Sequence, residues 1–120
     1  MEQNRERVLD VIFFRTASGT EPVRDWLKHE MDAADRQIIG SKLLTVQWRW
    51  PLGMPLVRKM DPELWELRCS LESGIARVFF SVQGKRLVVL HGFFKKSQKT
   101  PAGDLEKARI RLRIFRRNES

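Results

Sequence analysis

The sequence predicts an α+β fold, in which a small antiparallel sheet packs with an N-terminal helical hairpin and a C-terminal helix. Three strand-like runs lie at residues 64–71, 75–82 and 87–93, and in the first two of them apolar and polar residues alternate, as expected of strands with one buried face. Apolar residues recur at helical spacing both before and after these runs. The chain of 120 residues is 42% hydrophobic and 32% charged, which predicts one folded domain over residues 1–120 rather than a disordered segment.

The N-terminal part predicts one strand followed by two helices. Residues 8–14 are rich in β-branched and aromatic side chains and form the first strand. A short helix follows, with Thr20 as its N-cap and Pro22 in its first turn. Asp32 caps a second helix that runs to about Gln47. Because the turn between them is short, the two helices form a hairpin.

The rest of the chain predicts a meander and a terminal helix. Two prolines and a glycine in residues 48–55 predict a loop. The three strand-like runs come next, and short glycine-containing turns join them into a meander. Thr100, as an N-cap, and Pro101, at the first helical position, begin a helix that runs to about Arg117.

The alternation also predicts how the first two strands of the meander pair. Odd-numbered residues are apolar in the first of them, and even-numbered residues are apolar in the second. A two-residue turn at 72–73 places Leu67 opposite Val78 on a buried face, and Arg68 opposite Arg77 on the other face. A shift of one residue would mix the faces, whereas a shift of two would preserve them and stays open.

Two arginines directly opposite each other destabilise a strand pair unless something offsets their repulsion. One candidate is Glu66, which lies two residues from Arg68 on the same face and can bridge the two guanidinium groups. The other is a bound phosphate, because arginine side chains match phosphate oxygens in bidentate geometry. The sequence leaves both readings of Arg68 and Arg77 open.

A run of lysines follows the last strand of the meander. Lys95, Lys96 and Lys99 lie between this strand and the N-terminus of the terminal helix, whose exposed amide groups also attract anions. An ordinary solvated loop is the alternative. Together with the arginine pair, the run predicts a concave cationic site.

The distribution of charge favours an anionic partner. Residues 1–84 hold 12 basic and 12 acidic side chains, whereas residues 85–120 hold 11 basic and three acidic ones and thus carry the whole net charge of +8. Such a localised excess points to a polyanion or an acidic protein. A solvated basic helix is the alternative.

Several classes of protein are excluded or disfavoured. Cys69 is the only cysteine, so a disulfide framework is excluded. His29 and His91 lie far apart in the sequence and show no metal-ligand spacing, so we expect neither a metal nor a cofactor. The longest apolar stretch, residues 87–94, is too short to span a membrane. The N-terminus lacks the apolar core of a signal peptide, and we therefore expect a cytoplasmic protein.

The order of elements and several motifs resemble the RelE/HigB-type toxins of bacterial toxin–antitoxin systems, and most closely their phage-related HigB-like branch. The resemblance spans essentially the whole chain. The motifs that carry it are Leu64-Trp65-Glu66-Leu67-Arg68, Gly74-Ile75-Ala76-Arg77-Val78-Phe79-Phe80, the run from Val89 through Lys95-Lys96 to Pro101, Leu105-Glu106-Lys107-Ala108, and Arg111-Leu112.

This resemblance implies an endoribonuclease that cuts mRNA on the ribosome and is silenced by a small antitoxin of the helix-turn-helix type. Arg68 and Arg77 match the arginines of the central strands, and Lys95 and Lys96 match the basic residues at the end of the following strand. Several members also use an aromatic, acidic or histidine side chain near the C-terminal end for proton transfer or base stacking, and in some of them it is a tyrosine. This chain contains no tyrosine, which leaves its general acid and base open.

Metal-independent RNA cleavage needs cations, a base and an acid. Arg68 and Arg77 suit the stabilisation of charge on phosphorus. Lys95 or Lys96 can act as the base if neighbouring cations lower its pKa. His91 has a better intrinsic pKa for proton transfer, but a histidine within an apolar strand is often a core residue.

A wider RNA surface follows from other residues. Arg58 and Lys59 can extend a phosphate track before the meander. Phe79 falls on the polar face of its strand, where either a base stacks on it or neighbouring chain buries it. Lys99, together with Arg109 and Arg113 of the terminal helix, completes the candidate contacts.

Two other functions fit the same sequence. One is a toxin that inhibits gyrase through protein contacts, without nucleolysis, on the same scaffold. The other is a basic RNA-binding module without catalysis, which strongly salt-dependent RNA binding would reveal.

Overall fold

The structure is a computed structural model that describes residues 8–95 and 101–119. It contains a five-stranded sheet with helices on both faces. In chain order the elements are β1 (Asp10–Phe13), α1 (Pro22–His29), α2 (Ala33–Arg49), β2 (Val57–Asp61), β3 (Leu64–Leu71), β4 (Gly74–Gln83), β5 (Arg86–Phe94) and α3 (Ala102–Glu119). The α+β class is confirmed.

The sheet differs from the predicted one in the direction of β1 and in the number of its strands. The strand order is β1-β5-β4-β3-β2, and β1 runs parallel to β5 while the other neighbours are antiparallel. The sheet is therefore mixed, not purely antiparallel. A strand's residue pattern does not encode its direction, and the long connection through α1 and α2 allows a parallel pairing.

The fifth strand, β2, was not predicted. It is a short edge strand with the sequence Val57-Arg58-Lys59-Met60-Asp61, and its polar residues resemble those of a loop. It forms because its backbone pairs with β3, with Val57 opposite Leu67. The two strands form a hairpin, with only residues 62–63 between Asp61 and its partner Leu64, but the polar residues of β2 give no alternation that would have indicated a strand.

The helix boundaries are close to those predicted. Asp32 caps α2 as expected, since its side chain accepts a hydrogen bond from the Asp35 amide. The N-cap of α1 is Glu21 and not Thr20, because the Thr20 hydroxyl bonds instead with that of Thr16, 2.6 Å away. The predicted N-cap of α3, Thr100, lies outside the described residues.

The predicted register of β3 and β4 is confirmed. Leu67 lies opposite Val78 and Arg68 lies opposite Arg77, so the two-residue shift does not occur. The turn at residues 72–73 joins Leu71 directly to its partner at the start of β4.

The sheet separates two apolar cores. Leu67, Val78 and other residues of one face pack with α1 and α2. Phe79 and Leu90, on the opposite face, pack with α3. An irregularity in the pairing of β4 and β5 changes the alternation, so that His91 follows Leu90 onto the α3 side and faces Phe79.

None of the helices that the structure describes has the length and apolar character needed to cross a membrane.

Gly92 of β5 allows the closest approach between the sheet and α1. A Cβ atom at this position would lie 2.4 Å from Cζ3 of Trp26.

We expect Gly92→Ala to lower the free energy of unfolding by about 1–3 kcal/mol, because the indole ring must move within a packed core. Urea denaturation followed by circular dichroism measures the change.

Gly40→Ala is the matched control. Gly40 lies within α2, and a Cβ there meets nothing within 4 Å. Alanine at this helical position should raise the free energy of unfolding by about 0.5–1 kcal/mol. A Gly92→Ala protein as stable as the wild type would contradict the packing described for Trp26.

Candidate functional site: a cluster of arginines on the sheet

The opposed arginines lie on the α3-facing side of the sheet, near the end where β5 finishes. Arg68 of β3 is exposed. Arg77 of β4, directly opposite, is only 5% exposed. The two guanidinium groups therefore differ: one is open to solvent, and the other is fixed within the protein.

Glu66 offsets the repulsion between the arginines. It is 2% exposed, and its Oε1 accepts a hydrogen bond from Arg77 Nη1 at 2.5 Å. A buried guanidinium requires such a partner, because an unpaired buried charge is strongly unfavourable. The structure thus shows the bridging carboxylate for Arg77, while the surface of the pair next to Arg68 stays accessible.

Arg77 retains one unused donor. Its Nε is buried and has no hydrogen-bond acceptor among the residues that the structure describes. Buried N–H groups nearly always have an acceptor, so an orphan of this kind calls for an explanation. Because this atom is itself buried, an anion from solvent reaches it only if the surrounding side chains move.

Lys95 adds a third cation next to the pair. Its backbone N–H donates to the Ile75 carbonyl at 2.7 Å, which fixes the end of β5 against the start of β4. Partial loss of hydration lowers the pKa of Lys95, and the positive charges of Arg77 and Arg68 lower it further, while Glu66 opposes them. These charges therefore act on the Lys95 ammonium group.

Arg58 lies on the same face of the sheet as Arg68 and Arg77, whereas Lys59 does not. Arg58 lies opposite Glu66 on the neighbouring strand, and its charge also contributes to the lowered pKa of Lys95. Lys59 lies opposite Trp65, and its ammonium group is 5.7 Å from the centre of that ring. Trp65 packs on the α1 and α2 side, so Lys59 points away from the arginines. We call Arg58, Glu66, Arg68, Arg77 and Lys95 the arginine site.

His91 lies on the same face of the sheet but is held in place by other residues. Its Nε2 is 2.5 Å from Asp104 Oδ1, and its Nδ1 is 3.5 Å from Arg111 Nη1. The ring is stacked against Phe79 and Phe93. The pKa of His91 is lowered, chiefly by burial and further by the charges of Arg111 and Lys107, although Asp104 opposes this, and the lowering favours the neutral ring.

Phe79 is buried and not a stacking surface. It is fully enclosed, and its ring lies 5.5 Å from that of Phe93, centre to centre. Of the two readings of this residue, the structure shows the one in which neighbouring chain covers it. A base could not reach its ring without disrupting the core under α3.

Arg109 and Arg113 point to acidic residues and not to the arginine site. Arg109 Nε donates to Asp61 Oδ2 at 2.6 Å, and this hydrogen bond lowers the pKa of the Asp61 carboxyl. Arg113 lies 3.9 Å from Glu106. Part of the positive charge of the C-terminal region is therefore balanced locally by acidic side chains.

The remaining predictions concern lysines, metals and the cysteine. Lys96 and Lys99 lie outside the described residues. Within residues 8–95 and 101–119, no group of three or more histidine, cysteine or carboxylate side chains is arranged to hold a metal ion. Burial raises the pKa of Cys69 to about 12, so this thiol is not a nucleophile at neutral pH.

Sequence reasoning missed two features of this face. Arg58 was placed in a track with Lys59, because the pairing of β2 with β3 was not foreseen. The contact between His91 and Asp104 was also missed. The sequence signal for it is the acidic residue in the first turn of α3, which by itself is also typical of a favourable interaction with the helix dipole.

The family model described as "Phage derived protein Gp49-like (DUF891)" matches residues 25–113, which include the whole arginine site. No curated protein is similar enough in sequence to count as a match. Since the family model covers most of the chain, this protein belongs to the phage-derived Gp49-like family, a RelE/HigB-like toxin family.

Proposed function

We propose that this protein is the toxin of a toxin–antitoxin pair, of the HigB-like kind, and that it cleaves mRNA without a metal ion. Its partners are then a small helix-turn-helix antitoxin and the mRNA on the ribosome. Membership of the Gp49-like family is consistent with a toxin-like role. The observation that carries the nuclease proposal is the opposition of Arg68 and Arg77 with Lys95 beside them.

The arginine site suits a phosphodiester group. Arg68 is exposed and can approach a phosphate from solvent, whereas Arg77, directly opposite, is held by Glu66 and adds positive charge to the site from within the protein. Arginine forks bind phosphate oxygens in bidentate fashion. A site fixed before the substrate arrives stabilises developing negative charge without a further cost of reorganisation.

The reaction that fits these residues is attack by a ribose 2′-hydroxyl on the adjacent phosphorus. The 2′-oxygen loses its proton to a base and the 5′-oxygen gains one as it leaves, which gives a 2′,3′-cyclic phosphate and a 5′-hydroxyl end. We assign Lys95 as the base, because its lowered pKa makes the neutral amine more available than in an ordinary lysine.

We assign His91 a positioning role. Its contacts with Asp104 and Arg111 link β5 to α3. Its position in the sheet is diagonal to Arg77, two residues before the partner of that arginine. These contacts hold the last part of β5, and therefore Lys95, in a fixed relation to the arginines.

The first prediction of the nuclease proposal concerns Arg68→Ala. Because Arg68 is exposed, its removal should leave the fold intact but lower RNA cleavage by about 100-fold or more, as is typical when a group that stabilises transition-state charge is lost. The measurement maps mRNA 5′ ends after induced expression and follows cleavage of a purified RNA by the purified protein.

Arg49→Ala is the control, since Arg49 is an exposed arginine at the end of α2. It should cleave as the wild type does. If expression of the wild type arrests growth while transcripts stay intact, the nuclease proposal fails and a gyrase-inhibiting toxin is supported. If RNA binds in a salt-dependent manner without cleavage or growth arrest, a binding module is supported instead.

The second prediction concerns Lys95→Arg, which keeps the positive charge but cannot release a proton at accessible pH. RNA binding should be retained, while cleavage should fall by about 100-fold or more, within the usual range for a lost general base. Wild-type cleavage should rise with pH until Lys95 is deprotonated and level off below the pKa of an ordinary lysine, whereas the variant should lack this rise.

The conservative control is Lys85→Arg, at the exposed turn between β4 and β5, which should keep the wild-type pH profile. Full cleavage by Lys95→Arg would exclude Lys95 as the base, even if Arg68 proves essential.

A further inference from the structure

Strand β5 contains one extra residue, Leu90. Val89 pairs with Phe80 and His91 pairs with Phe79, so that Leu90 lies between two consecutive pairs without a place of its own in the register. An extra residue of this kind is a β-bulge. Because side chains alternate along a strand, those beyond the bulge lie on the opposite face from the one that a regular strand would give them.

The packing on the two sides of the sheet shows this exchange. Before the bulge, Val88 packs with the core under α3, and Val89 packs with the core under α1 and α2. Beyond the bulge, Phe93 packs under α3, and Phe94 lies against Trp26 of α1 with 5.5 Å between the ring centres. Odd-numbered residues of β5 therefore face α3 only beyond the bulge.

The exchange decides on which side of the sheet Lys95 lies. As an odd-numbered residue beyond the bulge, it is on the side of the arginine site, where it loses hydration and meets the charges of Arg77 and Arg68. Without the bulge, its side chain would extend from the opposite face. On that side, beside Phe94, three carboxylates line a cavity at the end of β5, namely those of Glu30, Asp32 and Asp35.

Arg111 of α3 contacts the bulge directly. Its Nη1 donates to the Leu90 carbonyl at 2.9 Å and lies 3.5 Å from Nδ1 of His91. The guanidinium group also lies over the ring of Phe14, 5.6 Å from its centre. Several donors in one rigid plane allow a single arginine to hold neighbouring acceptors. The guanidinium group is thus placed at the residues where β5 changes face.

We propose that Arg111 is a positioning residue, which stabilises the bulge at Leu90 and thereby keeps Lys95 on the side of the sheet that carries the arginines. It acts through the backbone of β5 and does not touch the substrate. The consequence for cleavage rests on the proposed nuclease function, in which Lys95 is the base, whereas the placement of Lys95 does not.

The competing arrangement is a straight pairing of β4 with β5. It would place Leu90 opposite Phe79 and His91 opposite Val78, so that each residue beyond Val89 is shifted by one relative to β4. A shift of one residue moves every following side chain to the other face. The two arrangements can therefore be distinguished by cross-strand contacts and by the surroundings of Lys95.

The test compares Lys95 in the wild type and in Arg111→Met, which keeps an unbranched apolar side chain over Phe14 but has no donor for the Leu90 carbonyl. An NMR titration of the lysine Cε–Hε signals should give wild-type Lys95 a pKa below the ordinary value for lysine. In Arg111→Met this pKa should rise to the ordinary value or above it, because the ammonium group leaves the arginines for the carboxylates.

Two further measurements on Arg111→Met accompany the titration. Cross-strand nuclear Overhauser effects should weaken between His91 and Phe79 and appear between Leu90 and Phe79. Cleavage of a purified RNA should fall by about 100-fold or more, within the usual range for a lost general base.

Two variants serve as controls. Arg117→Met removes the same charge from an exposed position in the last turn of α3, and it should leave the pKa of Lys95 and the strand pairing unchanged. Arg111→Lys retains a donor for the Leu90 carbonyl, and it should keep the lowered pKa of Lys95.

A folded Arg111→Met protein with the wild-type pairing and the wild-type pKa of Lys95 would overturn the proposal. If Arg111→Met does not fold, Arg111→Lys decides: a folded protein with the lowered pKa supports the proposal, and an unfolded one, or one without the lowered pKa, contradicts it. If the variants behave as expected but the wild type cleaves no RNA, the nuclease function fails and the role of Arg111 in placing Lys95 is retained.

Discussion

The ion pair between Glu66 and Arg77 is the interaction on which the site depends. Two arginines face each other across β3 and β4, and this arrangement is tolerable because a buried carboxylate holds one of them. The same contact fixes the direction of the Arg77 guanidinium group. Arg58, Arg68 and Lys95 then surround a guanidinium group of fixed orientation. Partial loss of hydration lowers the pKa of Lys95, and the charges of Arg77, Arg68 and Arg58 lower it further.

Much of the fold could be predicted because its signals are local. Alternation along β3 and β4, with a two-residue turn, was enough to predict that Arg68 faces Arg77. The direction of β1 depends on its pairing with β5, which is more than 70 residues away in the chain. The pairing of β2 with β3 is local, across residues 62–63, but the sequence of β2 gives no signal for it. A polar edge strand such as Val57–Asp61 has no periodicity that distinguishes it from a loop. The irregularity that turns His91 towards α3 likewise arises from the pairing of β4 with β5.

The candidate site was predictable to the extent that it lies within one hairpin. Arg68, Arg77 and Glu66 follow from the hairpin register, whereas Arg58 joins them through β2. Net charge was a less direct guide to the residues of the site, because several arginines of α3 pair with acidic residues elsewhere in the protein. Arg109 binds Asp61, which is 48 residues earlier in the chain. Such contacts decide which cations are available to a ligand, and sequence spacing does not reveal them.

The most direct test of the phosphate site is a side-chain NMR titration of the arginine Nε–Hε groups with a 2′-O-methylated trinucleotide, which has no 2′-hydroxyl nucleophile and cannot be cleaved. Arg77 Nε, which has no acceptor among the described residues, should shift on binding, together with Arg68. Arg109 Nε, already bonded to Asp61, should not. A titration that moves Arg109 and leaves both Arg68 and Arg77 unchanged would contradict the assignment of the arginine site.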